Sequence, residues 1–234
     1  MSRTLYIANK NYSSWSLRPW LLMRALGVPF EEVLLRFDDE PTWAAFRARF
    51  PSGKVPALIA DGRPVWESIA IVEHLAETVP GVWPADPGAR AWARSAAAEM
   101  HAGFATLRQR CGMNVGIRVR LHEVPPALQK DVDRIDALWA EGLSRFGGPY
   151  LAGERFTAVD AMFAPVVFRV QTYGLALSAA PAAWVARMLE EPGMREWSAA
   201  ALAEPFRDLG HDAECREFGV WTADLRAGVE QGGR

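Results

Sequence analysis

The chain has 234 residues, half of them hydrophobic and 23% charged, with a net charge of -2. This balance supports a packed core in one large domain or two small ones and excludes a disordered chain. No basic block calls for nucleic acid or a membrane surface, no apolar run approaches the roughly 20 residues that span a bilayer, and MSRTLYIANK lacks a secretory core, so a cytoplasmic protein is expected.

In chain order, TLYIA (4–8) is β-branched and aromatic enough for a short strand. A helix is predicted from about Ser14, because Leu17, Leu21 and Ala25 fall four apart and Leu22 with Leu26 widens the stripe; Gly27 stops it. PFEEVLLRF (29–37) reads as a second strand, which makes a parallel βαβ unit. A polar stretch with helical pieces, DDEPTWAAFRARF, leads to a hairpin of PALIA and RPVW turned at Asp61-Gly62. After Glu67-Ser68 a helix follows, with Ile69, Val72 and Ala76 on one face.

PGVWPADPG (80–88) reads as a linker. Beyond it the pattern is helical over about 88–112, 126–146, 157–173, 182–191 and 193–203, with no convincing strand. Thr157 and Asp160 form a capping-box pattern with Phe156 placed for a staple, and Pro165 is expected to kink the helix they start. The tail GVEQGGR is expected to fray. The division is an α/β domain over 1–80, a linker over 81–87 and an all-helical domain over 88–234.

A βαβ–ββα domain with KVP in its hairpin has the layout of thioredoxin-like domains. The Val55-Pro56 bond is expected to be cis, leaving the Val55 backbone as an unpaired edge that an extended peptide can join. Redox domains of this layout place Cys-x-x-Cys at the start of the first helix, where the helix N-terminus lowers a thiol pKa. Here that position reads NYSSWSLRPW, with Ser13, Ser14 and Ser16. Cys111 and Cys215 lie far away and in no redox or metal spacing. Sulfur chemistry at this site therefore needs a thiol from outside. The four histidines show no ligand spacing, so no metal is expected.

SSWSLRPWLLMRALGV, GKVPAL, ESIAIVEHL and PYLAGERFTAVDAMFAP, in that order and separation, resemble the cytosolic glutathione transferase superfamily, in particular its serine-type zeta and tau branches. The resemblance covers most of residues 4–80 and thins over 88–205. Trp15 stands where the zeta pattern has a cysteine. The resemblance implies a thioredoxin-like glutathione domain followed by a helical domain, glutathione as co-substrate, a small electrophile as second substrate, and a homodimer. It implies that Ser13, with Ser14 beside it, is the catalytic hydroxyl. Lys54, Val55, Pro56, Glu67 and Ser68 would bind glutathione, with Ser68 the N-cap of helix three facing a carboxylate and Glu67 facing an ammonium. Trp15, Met100, His101, Phe104 and Arg108 would border the electrophile.

The chemistry stands apart from the family. A thiol with a pKa of about 8.5 is only a few per cent ionised at neutral pH. A hydroxyl hydrogen bond to the thiolate, worth roughly 1.5–3 kcal/mol, lowers that pKa by one to two units, and a helix N-terminus adds to the effect. Taken alone, Ser13 and Ser14 equally suit capping, Lys54 solvation, and His101 a polar wall. Arg18 suits an internal ion pair. Three functions remain open on sequence: a conjugating transferase, a zeta-type glutathione-dependent isomerase, and a glutathione-binding protein without turnover.

Overall fold

The computed structural model describes residues 2–228. The N-terminal half runs β1 (Arg3–Ala8), α1 (Ser14–Ala25), β2 (Glu31–Leu35), α2 (Glu40–Arg49), β3 (Ala57–Ala60), β4 (Arg63–Trp66) and α3 (Ser68–Ala76). Its four strands form one sheet in the order β2-β1-β3-β4. β1 and β2 pair in parallel, with Tyr6 opposite Val33; β3 runs antiparallel to β1, with Leu5 opposite Leu58. Asp61 and Gly62, which both have positive φ (47° and 80°), return the chain into β4.

Strand alternation divides this sheet cleanly. Leu5, Ile7 and Leu58 join the main core with α1 and α3, while Tyr6, Val33, Ala57 and Ile59 turn the other way onto Phe46 and Phe50 of α2. Asp39 caps α2 by accepting from the Thr42 N–H (3.3 Å). The Val55–Pro56 bond is cis, as expected.

The second half contains α4 (Pro87–Ala102), α5 (Ala105–Arg110), β5 (Ile117–Leu121), α6 (Pro126–Phe146), α7 (Ala158–Tyr173), α8 (Ala179–Glu190), α9 (Pro192–Ala203), α10 (Leu209–Phe218) and β6 (Gly219–Asp224). Helix α7 is buried almost all round and packs against both α1 and α4, so it ties the two halves together. Thr157 and Asp160 form the expected capping box; Asp160 also accepts from the Leu151 N–H (2.9 Å) and the Trp184 indole (3.2 Å). Among the described residues no helix is long and apolar enough to cross a membrane.

Two expectations need correction. The helix predicted over 88–112 is two helices, because Gly103 is extended and Phe104 sits at φ 61°; a Cβ on Gly103 would lie 2.9 Å from the Glu99 carbonyl oxygen. The second half is also not wholly helical. β5 and β6 form an antiparallel ribbon. Ile117 and Val119 do alternate as strand residues, but their partner strand comes about a hundred positions later in a stretch with no clear pattern. Apart from Gly228, the tail GVEQGGR lies outside the described residues.

Candidate active site

A cavity of about 620 Å³ opens between the two halves. One wall comes from the chain entering α1, Tyr12 to Trp15, together with Gly53, Lys54 and Val55 before β3 and Glu67 before α3. The helical half supplies Arg108, Gly112, Met113 and Arg169, and α10 adds His211. Trp43, Phe37, His211 and Tyr12 form a row of rings along the cavity, with Phe37 stacked on both Trp43 and His211.

Ser13 occupies the N-cap position of α1 but makes no capping bond with its side chain. Its hydroxyl donates instead to the Ser16 hydroxyl (2.7 Å), which also accepts from the Ala8 N–H (3.2 Å). A hydroxyl rotates to suit its partners, so this chain can reverse and run from Ala8 through Ser16 and Ser13 into the cavity. The Ser14 hydroxyl has no hydrogen-bond partner among the described residues, and Ser14 also lines the cavity. The capping role is therefore not what occupies these side chains.

The helical half holds this loop in place. Glu204 accepts from the N–H groups of Lys10 (2.5 Å) and Asn11 (3.3 Å), and the Trp197 indole donates to the Lys10 carbonyl (2.8 Å). Asn11 donates to Asn114 (2.8 Å) and accepts from the Gly116 N–H (2.9 Å). Tyr12 meets Asp212 (3.1 Å) and Arg226 (3.0 Å). Burial, and then the charge of Asp212, push the Tyr12 phenol up to about 12, so it stays a neutral anchor.

Across the cavity Val55 makes no backbone hydrogen bond among the described residues, so its edge is open. Pro56 is buried behind it. Glu67, not Ser68, is the N-cap of α3, and it takes φ 70°. A glutamate in the left-handed region carries strain of order 1–3 kcal/mol, a cost that clusters at ligand-holding positions. Ser68 is the first residue of the helix, fully buried, and its hydroxyl has no partner.

Of the residues singled out in the sequence, Ser13, Ser14, Trp15, Lys54, Val55, Glu67 and Arg108 meet at this cavity. Met100, His101 and Phe104 do not line it. Met100 and Phe104 are packed into the core where α4 gives way to α5, and His101 sets its ring edge-on to Trp15 from behind (5.2 Å). Burial, then the charge of Arg18, holds the His101 imidazole below its ordinary value. Arg18 finds no internal acid; its guanidinium faces the Trp15 ring at 4.1 Å. Both cysteines are buried; burial pushes Cys111 up to about 12 and raises Cys215, whose sulfur lies 3.2 Å from the Tyr173 hydroxyl. Ser16, the third serine of the cluster, does not line the cavity but accepts from Ser13, whereas Arg169 and His211 line it without having been marked by any motif. Arg169 had a visible signal, a lone cation in the apolar helix AMFAPVVFRV.

Residues 12–78 match the family model for the glutathione S-transferase N-terminal domain, and residues 89–200 match that for the C-terminal domain. The chain belongs to the glutathione S-transferase superfamily. Among superfamily relatives, a probable maleylacetoacetate isomerase of Caenorhabditis elegans is 28% identical over 185 residues, covering 76% of this chain and 83% of that protein. An unclassified glutathione S-transferase of Bombyx mori superposes with a TM-score of 0.72 at 21% identity, over 94% of this chain and 100% of the other. A Burkholderia glutathione transferase homolog, solved with bound glutathione, superposes with a TM-score of 0.64 at 21% identity, over 86% and 98% of the two chains. The thioredoxin-like half followed by a helical half is thus the superfamily arrangement.

Proposed function

We propose that the protein is a glutathione transferase that binds glutathione along the open edge before β3 and conjugates its thiolate to a small electrophile. The observation that carries the reading is the pair of cavity-lining serines, Ser13 and Ser14, at the start of α1, opposite the unpaired Val55 backbone. The tripeptide backbone adds to that edge as a short strand. Its α-carboxylate meets the orphaned Ser68 hydroxyl and the free N–H groups at the start of α3, its ammonium meets Glu67, and its glycine end meets Lys54. The sulfur then falls at the start of α1. The Ser13 hydroxyl donates to it, Ser16 donates to Ser13, and the Ala8 N–H supports Ser16. The ionised sulfur attacks the electrophile held toward the helical half, either displacing a leaving group that departs with its bonding pair or adding to an activated double bond whose carbanion then takes a proton from solvent, and no covalent bond to the protein forms.

Supporting the reading are the family membership and the glutathione-bound structural neighbour. The names of the isomerase relatives favour a second reading, in which the thiolate adds reversibly to a double bond and glutathione is returned. Titrating the protein with glutathione while following thiolate absorbance, then adding a broad panel of electrophiles, tests both. A retained conjugate supports the transferase, and an isomerised product with free glutathione supports the isomerase. Thiolate without any product leaves a binding protein, and failure to bind glutathione at all removes the transferase and the isomerase readings.

A further inference from the structure

Three arginines, Arg108 and Arg169 on the helical side of the cavity and Arg18 of α1 behind it, lie close enough to repel one another, and none forms a salt bridge with an acid among the described residues. Arg18 is wholly buried, and none of its side-chain nitrogens has a partner. Its guanidinium lies 4.1 Å from the Trp15 ring, and that of Arg108 lies 4.7 Å from the same ring. Arg108 donates Nε to the Gly103 carbonyl (2.9 Å) and Nη2 to the Met100 carbonyl, which leaves Nη1 free. Arg169, almost fully buried, donates Nε to the Cys111 carbonyl (2.7 Å) and Nη1 to the Pro165 carbonyl (3.2 Å), which leaves Nη2 free. Arg108 and Arg169 both line the cavity.

Buried charge is costly unless it is paired, and a guanidinium does not escape by losing its proton. Burial and the mutual repulsion of these groups act together: Arg108 is pulled down to about 10 and Arg18 is lowered too. The acids near the cavity offset this only in part: the charge of Asp131 favours the Arg108 cation, but less than burial and Arg169 oppose it. Asp131 accepts from the Leu107 N–H (2.9 Å), and Glu67 and Glu214, which line the cavity, form no ion pair with any of the three. Two backbone carbonyls hold each of Arg108 and Arg169, so the free edge of each is fixed in place.

We propose that the electrophile carries a carboxylate, bound by the free edges of Arg108 and Arg169 while Arg18 adds positive potential from behind Trp15. The inference rests on the glutathione reading of the same cavity. Two free N–H edges beside an aromatic and aliphatic wall, Trp15 and Met113, suit a planar carboxylate on an apolar body.

The test compares glutathione, S-benzylglutathione and S-(4-carboxybenzyl)glutathione by titration calorimetry, which needs no turnover. The carboxybenzyl compound is expected to bind wild type at least about tenfold more tightly than the benzyl compound, one charge-assisted contact by magnitude. Arg108→Gln should remove most of that preference, and Arg169→Lys, which keeps the charge but not the fork, part of it. Equal affinity for the two benzyl compounds in wild type overturns the proposal, with no variant required to fold. So does an Arg108→Gln protein that loses affinity equally for glutathione itself, because the arginines would then serve the tripeptide's own carboxylates. Failure of all three compounds to bind is a separate result; it overturns the glutathione reading and the inference with it.

Discussion

The Tyr12 hydroxyl accepts a hydrogen bond from Nη1 of Arg226 (3.0 Å), joining the residue before Ser13 to one 214 positions further along the chain. The same nitrogen meets both carboxylate oxygens of Asp212 (2.9 and 3.0 Å), and the other end of the guanidinium grips Asp224. The side chains of Arg226 and Asp212 are 3% and 6% exposed. Arg226→Ala leaves a buried, uncompensated aspartate, so a loss of about 3–5 kcal/mol is expected in urea unfolding. Tyr12→Phe removes the hydroxyl shared by Asp212, Arg226 and the Asp208 N–H but leaves the ion pair intact, so it should cost less, about 1–2 kcal/mol. Equal, small losses in both variants would mean that the latch is not a buried ion pair.

The serine relay separates two roles. Ser13→Ala should raise the pKa of bound glutathione by about one to two units, while glutathione affinity changes less than about threefold. Ser16→Ala should give a smaller rise of the same sign, because it only removes the donor behind Ser13. Thiolate absorbance against pH reads both. If Ser14→Ala gives the larger rise, the sulfur sits one residue further on than proposed.

Ser68 makes the opposite kind of prediction. Its buried hydroxyl has no partner without ligand. Ser68→Ala should therefore leave the unliganded protein as stable or up to about 1 kcal/mol more stable. Glutathione affinity should fall by about tenfold with no change in the thiol pKa. A destabilised variant with normal affinity would assign Ser68 to the fold alone.

Asp160 gives a pH signature. Burial raises its carboxyl from 3.8 to about 6 against four hydrogen bonds that pull it down. Native protein thus holds this proton more tightly than the unfolded chain. The stabilisation is complete below about pH 4 and is lost as pH rises through about 6, at roughly 1.4 kcal/mol per unit between these limits. Asp160→Asn stays neutral and lacks one set of acceptors, so it should be less stable throughout. Its deficit should narrow by about 2–3 kcal/mol between pH 4 and pH 7 in denaturant titrations. A constant deficit would mean that Asp160 does not titrate in this window.

Much of this was legible because local rules carried it. The period-two alternation of TLYIA, the Asp61-Gly62 turn and the helical stripe of Leu17, Leu21 and Ala25 each specify an element without tertiary help. Of the eight site residues drawn from the N-terminal half, six reach the cavity: Ser13, Ser14 and Trp15 where the chain enters α1, Lys54 and Val55 on the short loop before β3, and Glu67 through its unusual φ. The electrophile side was harder. Met100, His101 and Phe104 share a helix stripe with Arg108 only if that helix continues, and it breaks at Gly103. The β5–β6 ribbon and the Arg226 latch depend on contacts across the whole chain, which no periodicity records.

The two cysteines have a practical consequence. A protein that handles a borrowed thiol risks becoming covalently linked to it. Here Cys111 and Cys215 are sealed inside, and burial keeps both in the unreactive protonated form. Oxidised glutathione should therefore find no foothold on the folded chain, and intact-mass spectra after long incubation with it should show a single unmodified species.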